Sequence, residues 1–402
     1  MRIVHLAYAY GNSGGAAIAL TRLHRALLRS GEDSHVVCVV DKSKGRDDGI
    51  HVVPNIGSFK RWIYFQLAHL LRGMWKFTPL QRSCELCLLS SGAEKTVNGL
   101  KPDVVNIHWI NAGVETFKKL SRIKAPIVVT MHDCWMVNGF DPYPFGDRRY
   151  LNGFKRADSS LLERVLVAWK RNFIESKNVA FSCPSNWMCS VVSESLVGRG
   201  KRCRRVYNCM DEVYLSGKVA AGNKDKFRVL FGGDNASMNK TKGFDLLVES
   251  LRILSEIVRN RVELILFGGE VGDLGVSGIK VRSVGRVGSA GELKDLYCSC
   301  DALALPSRAD NAPQIKYEAL CSGLPVVTFS VTGCPEDIIA GKNGYVARFP
   351  DCQDFANCLL LAYGDWADGR VNHLGIASEM RTKMSTKTIV SAMRGYYAEI
   401  CC

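Results

Sequence analysis

Seven residues separate Asp310 from Glu318 in the stretch LPSRADNAPQIKYEALCSGLPVV, the segment of the 402-residue chain with the most specific chemistry. An apolar run ends at Pro306-Ser307, a loop carries Asp310 and Asn311, and a helical run carries Glu318 before Gly323-Leu324-Pro325. One carboxylate therefore sits in a loop and the other about two turns further along. Lys240 and Lys242, in NKTKGFDLL, follow the glycine-rich FGGDN and open a long apolar-striped helix. Cations beside a positive helix end suit a phosphate group, although lone surface lysines are more often only solvated. Gly14 and Gly15, in YGNSGGAA, join the first strand to the first helix. Their amides could meet a diphosphate, while tight turns hold paired glycines for geometry alone, and the full G-x-G-x-x-G spacing is missing. His132, in TMHDCW, ends a buried strand, where a site residue and a satisfied structural histidine are both open readings; His108, in NIHWIN, leaves the same choice.

Positioning these groups requires strands that end at them. MRIVHLAY, SHVVCVV, DVVNIHWI, APIVVTMH and VAFSCPS are short β-branched runs, separated by helical stretches such as Ala16–Leu28. FRVLFGG, VELILFGG, IKVRSVG, ALALPS and LPVVTFS repeat the alternation, with a helix predicted over Phe244–Val258. Near-continuous apolar strands alternating with helices predict parallel sheets covered on both faces. The fold class is α/β with two doubly wound, Rossmann-like domains, whose ligands are expected in a cleft between them. Residues 1–212 form the first domain, the small polar stretch 213–226 a linker, and 227–382 the second domain. A last helix near Lys383–Ile400 carries Ile389, Met393, Tyr396, Tyr397 and Ile400 on one face, which demands a partner surface.

Composition is that of a globular protein, 47% hydrophobic and 23% charged, which excludes collagen-like and mostly disordered classes. No apolar run reaches the ~20 residues of a membrane span, and the N-terminus reads as a strand, so a cytoplasmic location is expected. Most of the 16 cysteines sit singly in apolar strings, as small hydrophobes. The Cys84/Cys87 pair lacks the second pair of a structural zinc site, so no metal is expected. The net charge of +14 is lopsided: residues 1–212 hold 31 Lys and Arg against 18 Asp and Glu, while the remainder is nearly balanced. A basic first half suggests an anionic partner, either nucleic acid or phospholipid, or simply a solvated basic face. Lys201, Arg202, Arg204 and Arg205 form one basic run. Phe59, Trp62, Ile63, Leu67, Leu70, Leu71 and Met74 make a helical stripe that suits either a membrane interface or the first domain's core.

The paired acids, followed by Glu-Ala-x-x-x-Gly-x-Pro-Val-Val, resemble the motif of the retaining nucleotide-sugar glycosyltransferases of the GT-B fold, family four (glycosyl transferases group 1). Gly14-Gly15-Ala16, Lys242-Gly243, Pro184-Ser185, Asn208 and Asp211 are similar to further family segments. Thr130–Trp135 and Asp310-Asn311-x-Pro resemble the bacterial exopolysaccharide branch that includes colanic-acid transferases. Asp310 replaces the usual Glu, Ala309 replaces a common acid, and Lys240 or Thr241 stands where an Arg is expected.

The resemblance implies a first domain that binds acceptor, a second that binds donor, and a C-terminal segment (383–402) that returns to the first. It implies transfer of a hexose from a UDP- or GDP-sugar to a lipid-linked oligosaccharide of a surface polysaccharide or lipopolysaccharide, at the inner face of the membrane. Lys242, helped by Lys240 and the Gly15 amides, would neutralise the diphosphate, Glu318 would bind the ribose, Asp310 and Asn311 would lie by the donor sugar, and His132 would touch that sugar. Catalysis would need no metal or other cofactor, since fixed cations and dipoles carry the developing charge. Two other classes compete: a dinucleotide-dependent oxidoreductase, disfavoured by the absent glycine fingerprint, and a basic nucleic-acid-binding protein, for which no recognised motif is found.

Overall fold

The apolar runs of the first half become a wholly parallel seven-stranded sheet, and those of the second half a parallel six-stranded one. The computed structural model describes residues 1–402 except 44, 46, 56, 58–61, 63–65, 67–86, 111, 112, 155–159, 223, 224, 234 and 270–273. The chain forms two compact units, Met1–Cys209 with Ile389–Cys402, and Met210–Thr388.

In the first unit the strands are β1 (Arg2–Gly11), β2 (Asp33–Lys42), β3 (Ile50–Val52), β4 (Val104–Ile107), β5 (Ile127–Thr130), β6 (Val179–Cys183) and β7 (Cys203–Arg205). Their order is β3-β2-β1-β4-β5-β6-β7. β4, β5 and β6 are buried at every position, as strands covered on both faces must be. The helix Gly15–Arg29 buries Leu20, Leu23 and Leu27 against the sheet side of the unit, the stripe that its periodicity predicts. Chain order reverses between β1 and β4, so the loops after these two strands diverge and leave a crevice at their carboxyl ends.

The second unit repeats the plan with β8 (Phe227–Gly232), β9 (Val262–Phe267), β10 (Ile279–Ser283), β11 (Ala302–Leu305), β12 (Val326–Phe329) and β13 (Gly344–Ala347), ordered β10-β9-β8-β11-β12-β13. Its reversal lies between β8 and β11. The helix Phe244–Ile257 buries Leu247, Leu251 and Leu254 against Phe227, Val229 and Phe231.

The stretch 213–226, polar enough to suggest a linker, begins as part of the second unit: Tyr214 and Ala220 are buried. Lys294 Nζ donates to the carbonyls of Val213 (2.7 Å) and Ser216, and Arg381 donates to those of Tyr214, Gly217 and Lys218. Two cations from distant elements thus collect carbonyls that composition alone assigns to solvent.

The predicted last helix forms as one piece, Thr386–Cys401, and a further helix, His373–Lys383, precedes it. Ile389, Met393, Tyr396, Tyr397 and Ile400 are all buried. Within the first unit the Tyr396 hydroxyl donates to the carbonyls of Phe181 (2.9 Å) and Arg202 (3.1 Å), and Asn106 Nδ2 donates to the Tyr397 hydroxyl at 2.6 Å. The stretch 59–76 lies outside the described residues except for Trp62 and Gln66, both exposed. Among the described residues no helix is long and apolar enough to cross a membrane.

Candidate functional site

In the second unit, Lys242 and Asp310 meet at the point where strand order reverses. A turn after β8 carries Asn239, whose side chain accepts from the Thr241 amide and shapes the short 3-10 segment Lys240–Lys242. Gly243 follows at φ +69°, and a Cβ there would lie 1.9 Å from the Pro306 carbonyl oxygen at the end of β11. Only glycine allows both the left-handed backbone and that approach. The two loops are therefore pressed together, and Lys242 Nζ reaches Asp310 Oδ2 at 2.5 Å. Burial alone would push the Lys242 ammonium down, but the Asp310 carboxylate outweighs it and holds the group above its ordinary value. Lys240 is exposed beside it.

Arg308, which sequence reasoning passed over, locks this arrangement. Its guanidinium binds Asp245 through two hydrogen bonds of 2.7 and 2.6 Å and donates to the Lys240 carbonyl at 2.9 Å. Its own amide donates to the Thr241 carbonyl at 2.8 Å. The arginine missing before Lys242 in sequence thus has a cation close by, but one committed to a carboxylate and a carbonyl.

Asp310 is held from behind as well. Its amide donates to Thr332 Oγ1 at 3.0 Å, and its carbonyl accepts from the Gly333 amide at 3.0 Å. The turn that supplies these contacts is fixed by Lys316, a fully buried lysine on the helix Gln314–Cys321, which donates to the carbonyls of Gly333, Cys334 and Glu336 at 2.9–3.1 Å. Burial pushes its ammonium down to about 8. Glu318, on the same helix, is 4% exposed and accepts from the Tyr297 hydroxyl at 3.0 Å. Asn311 is buried too.

The first unit holds the other expected residues. Gly14 caps the helix Gly15–Arg29 with φ +86°, and no heavy atom lies within 4 Å of where its Cβ would be, so the turn is open on that side. His132 is the outer member of a buried chain of imidazoles. His132 Nε2 lies 2.9 Å from His108 Nδ1, and His108 Nε2 lies 3.1 Å from His5 Nδ1. His5 Nε2 has no partner among the described residues. A buried unfilled lone pair costs less than an orphaned N–H, so the favoured tautomers donate outward from His5 through His108, leaving the last proton on His132 Nδ1. Burial lowers His132 to about 4 and holds His5 and His108 well below their usual range. The neighbouring Asp133 is pushed up by burial to about 6.

A pocket beside His132 is lined by His108, Thr130, Ser182, Asn208 and Met393, with Ala19 and Leu23 of the first helix. Ser185, from the Pro-Ser segment, caps the helix Asn186–Glu194 by accepting from the Met188 amide. Asp211 caps the helix Glu212–Leu215 in the second unit. The structure therefore gathers Lys240, Lys242, Asp310, Asn311 and Glu318 in one unit, and Gly14, Gly15 and His132 in the other. His5, Arg308, Thr332 and Lys316 carry no motif of their own. Nearness in sequence to Asp310 and Glu318 is the one signal that could have pointed to Arg308 and Lys316.

Residues 13–213 match the family described as Glycosyltransferase Family 4, and residues 226–365 match Glycosyl transferases group 1. An uncharacterised 41.2 kDa protein of the cps region of Klebsiella pneumoniae is 22% identical over 364 residues, 87% of each chain. Among solved structures, Anabaena HepE in complex with UDP superposes with a TM-score of 0.64 at 16% identity, covering 99% of this chain and 100% of that one. WaaG, a glycosyltransferase involved in lipopolysaccharide biosynthesis, gives 0.57 at 15% identity and 99% of each chain. Two parallel Rossmann-like sheets, the reversal points within them and both family matches lead to one conclusion: the chain belongs to the family 4 glycosyltransferases and has the GT-B fold.

Proposed function

We propose that this glycosyltransferase is a retaining, metal-independent hexosyltransferase that uses a UDP- or GDP-sugar donor and a lipid-linked oligosaccharide acceptor in the assembly of a bacterial surface polysaccharide. The observation that carries the reading is the Lys242–Asp310 pair at the reversal point of the second sheet, with Glu318 on the helix that follows. An ammonium beside a carboxylate at the carboxyl ends of parallel strands can take up a diphosphate while the carboxylate faces the sugar it carries. In this reading Lys242 and Lys240 neutralise the leaving diphosphate, Glu318 binds the ribose, Asp310 and Asn311 meet the donor sugar, and His132 supplies a neutral hydrogen bond. The amides of Gly14 and Gly15 are assigned to the diphosphate on the resemblance alone. Relatives support the class of donor and pathway: HepE binds UDP, WaaG acts in lipopolysaccharide biosynthesis, and the Klebsiella protein belongs to a cps region. The basic first half suits a cytoplasmic enzyme held at an anionic membrane face.

The test is a panel of UDP-, GDP- and other nucleotide sugars incubated with the full chain, with and without EDTA. Donor hydrolysis is read by mass spectrometry and the configuration of the released sugar by NMR. Expected is turnover of one UDP- or GDP-sugar with retained configuration, unaffected by chelator. Inverted configuration, or activity lost in EDTA and restored by magnesium, overturns the corresponding part of the proposal.

A further inference from the structure

Three cysteines from three successive elements converge in the first unit. Cys183 ends β6, Cys203 begins β7, and Cys189 lies on the helix Asn186–Glu194. β6 and β7 pair in parallel with Phe181 opposite Cys203, so Cys183 and Cys203 project from the same face of the sheet. Their sulfurs lie 3.4 Å apart, and the Cys189 sulfur completes a triangle in which all three are within 4.8 Å of one another. Cys183 is fully buried, while Cys189 and Cys203 are half-buried, which leaves one side of the triangle open to approach. We infer that Cys183, Cys189 and Cys203 form a binding site for one thiophilic divalent ion of the zinc class.

The geometry suits that ion. Zinc binds thiolate sulfur at about 2.3 Å, so tetrahedral ligands stand about 3.8 Å apart, within the spread of the three sulfurs here. Soft thiolates without oxygen ligands select such a metal over magnesium or calcium. Water from the open side would complete the tetrahedron. Three thiolates around a divalent ion leave one net negative charge, and Arg205 lies two residues beyond Cys203 on the same face of β7, within electrostatic reach of Cys189. The thiols release their protons to solvent on binding. The ion would join the three-residue edge strand β7 to β6 and the helix between them. It would serve as a clip and not as part of glycosyl transfer. Spacing could not announce it, since no two of the three ligands form a Cys-x-x-Cys pair.

The test uses the full chain, reduced and stripped by chelator under anaerobic conditions, and titrated with cobalt(II) as a spectroscopic stand-in. Expected is a thiolate-to-cobalt charge-transfer band that saturates at one ion per chain, is bleached by zinc, and accompanies a rise in melting temperature with zinc. Cys189→Ser and Cys203→Ser should each lose at least tenfold in cobalt affinity. Cys352→Ser and Cys401→Ser, outside the cluster, should titrate like the wild type. Absence of the band in the wild type, its persistence in both cluster variants, or a resident Cys183–Cys203 disulfide whose reduced form takes up no cobalt overturns the inference. None of these readouts depends on glycosyl transfer, so failure here and failure of the proposed activity are separate results.

Discussion

Lys242 Nζ donates to Asp310 Oδ2 at 2.5 Å, so an anionic ligand reaching the ammonium shares it with a carboxylate. Charge-assisted hydrogen bonds contribute about 1.5–3 kcal/mol. Lys242→Ala is therefore expected to weaken UDP or GDP roughly ten- to a hundredfold while leaving the parent nucleoside nearly unchanged, as isothermal titration would read. Asp310→Asn keeps the shape and removes the charge. It should lower turnover far more than nucleotide affinity. Wild-type turnover in that variant would sink the assigned role.

Gly243→Ala tests the geometry without touching a charged group. The added methyl meets the Pro306 carbonyl at 1.9 Å from a backbone with φ +69°, so the Lys242 turn must move away from the Asp310 loop. A loss on the order of 1–3 kcal/mol in stability is expected, seen as a lower midpoint in urea, together with weaker nucleoside diphosphate binding. Unchanged binding would mean that Lys242 does not need this turn to reach its ligand.

The imidazole chain gives the first unit an acid limit. His132, with a folded value of about 4 against an ordinary 6.5, refuses protons that the unfolded chain accepts. Its contribution to stability is complete above pH 6.5 and is lost as pH falls toward about 4; His5 and His108 act in the same direction. Asp133 acts oppositely, because its value of about 6 lets the folded state take up a proton early, but it is one group against three. Chemical denaturation between pH 7 and 4 should show stability falling by a few kcal/mol, on the order expected from linkage. His5→Phe should flatten that fall. It should also lower turnover, since it removes the anchor that orients His108 and through it His132. Turnover of the wild type should show no inflection near pH 6.5 from His132.

The uneven charge predicts a lipid dependence. With 31 basic against 18 acidic residues in 1–212, binding to vesicles should require anionic lipid and weaken with salt, each basic residue near the surface adding about 1 kcal/mol. Flotation with neutral and anionic vesicles at low and high salt checks this. Equal binding to both compositions would remove the charge argument for a membrane-linked acceptor.

The near-continuous apolar character of the strands made the sheets legible, because both faces of β4, β5, β6 and β9 are covered and each carries only one polar residue. That signal missed β3 and β7, three half-exposed residues each at the sheet's edges, and β13, an edge strand whose two middle residues are only half-buried. Lys242, Asp310 and Glu318 were legible because their spacing is local to one loop and one helix. Arg308, Lys316 and His5 were not, because each acts on a partner distant in sequence. An arginine's role as a clamp on Asp245, 63 residues away, is written only in the fold. The same holds for the 213–222 segment, polar in composition yet ordered by Lys294 and Arg381.

The helix Thr386–Cys401 has a consequence for how the protein is made. The Asn106 side-chain amide in β4 donates to the Tyr397 hydroxyl, and the Phe181 and Arg202 carbonyls accept from the Tyr396 hydroxyl. At ribosomal speeds of about 5–20 residues per second, roughly 10–40 s pass between synthesis of β7 and arrival of those tyrosines, while the whole intervening unit is translated. The first sheet must wait out that interval with its docking groove bare. A nascent chain stalled before residue 386 should be a better client for a holding chaperone than either the finished protein or the Met210–Thr388 unit made alone.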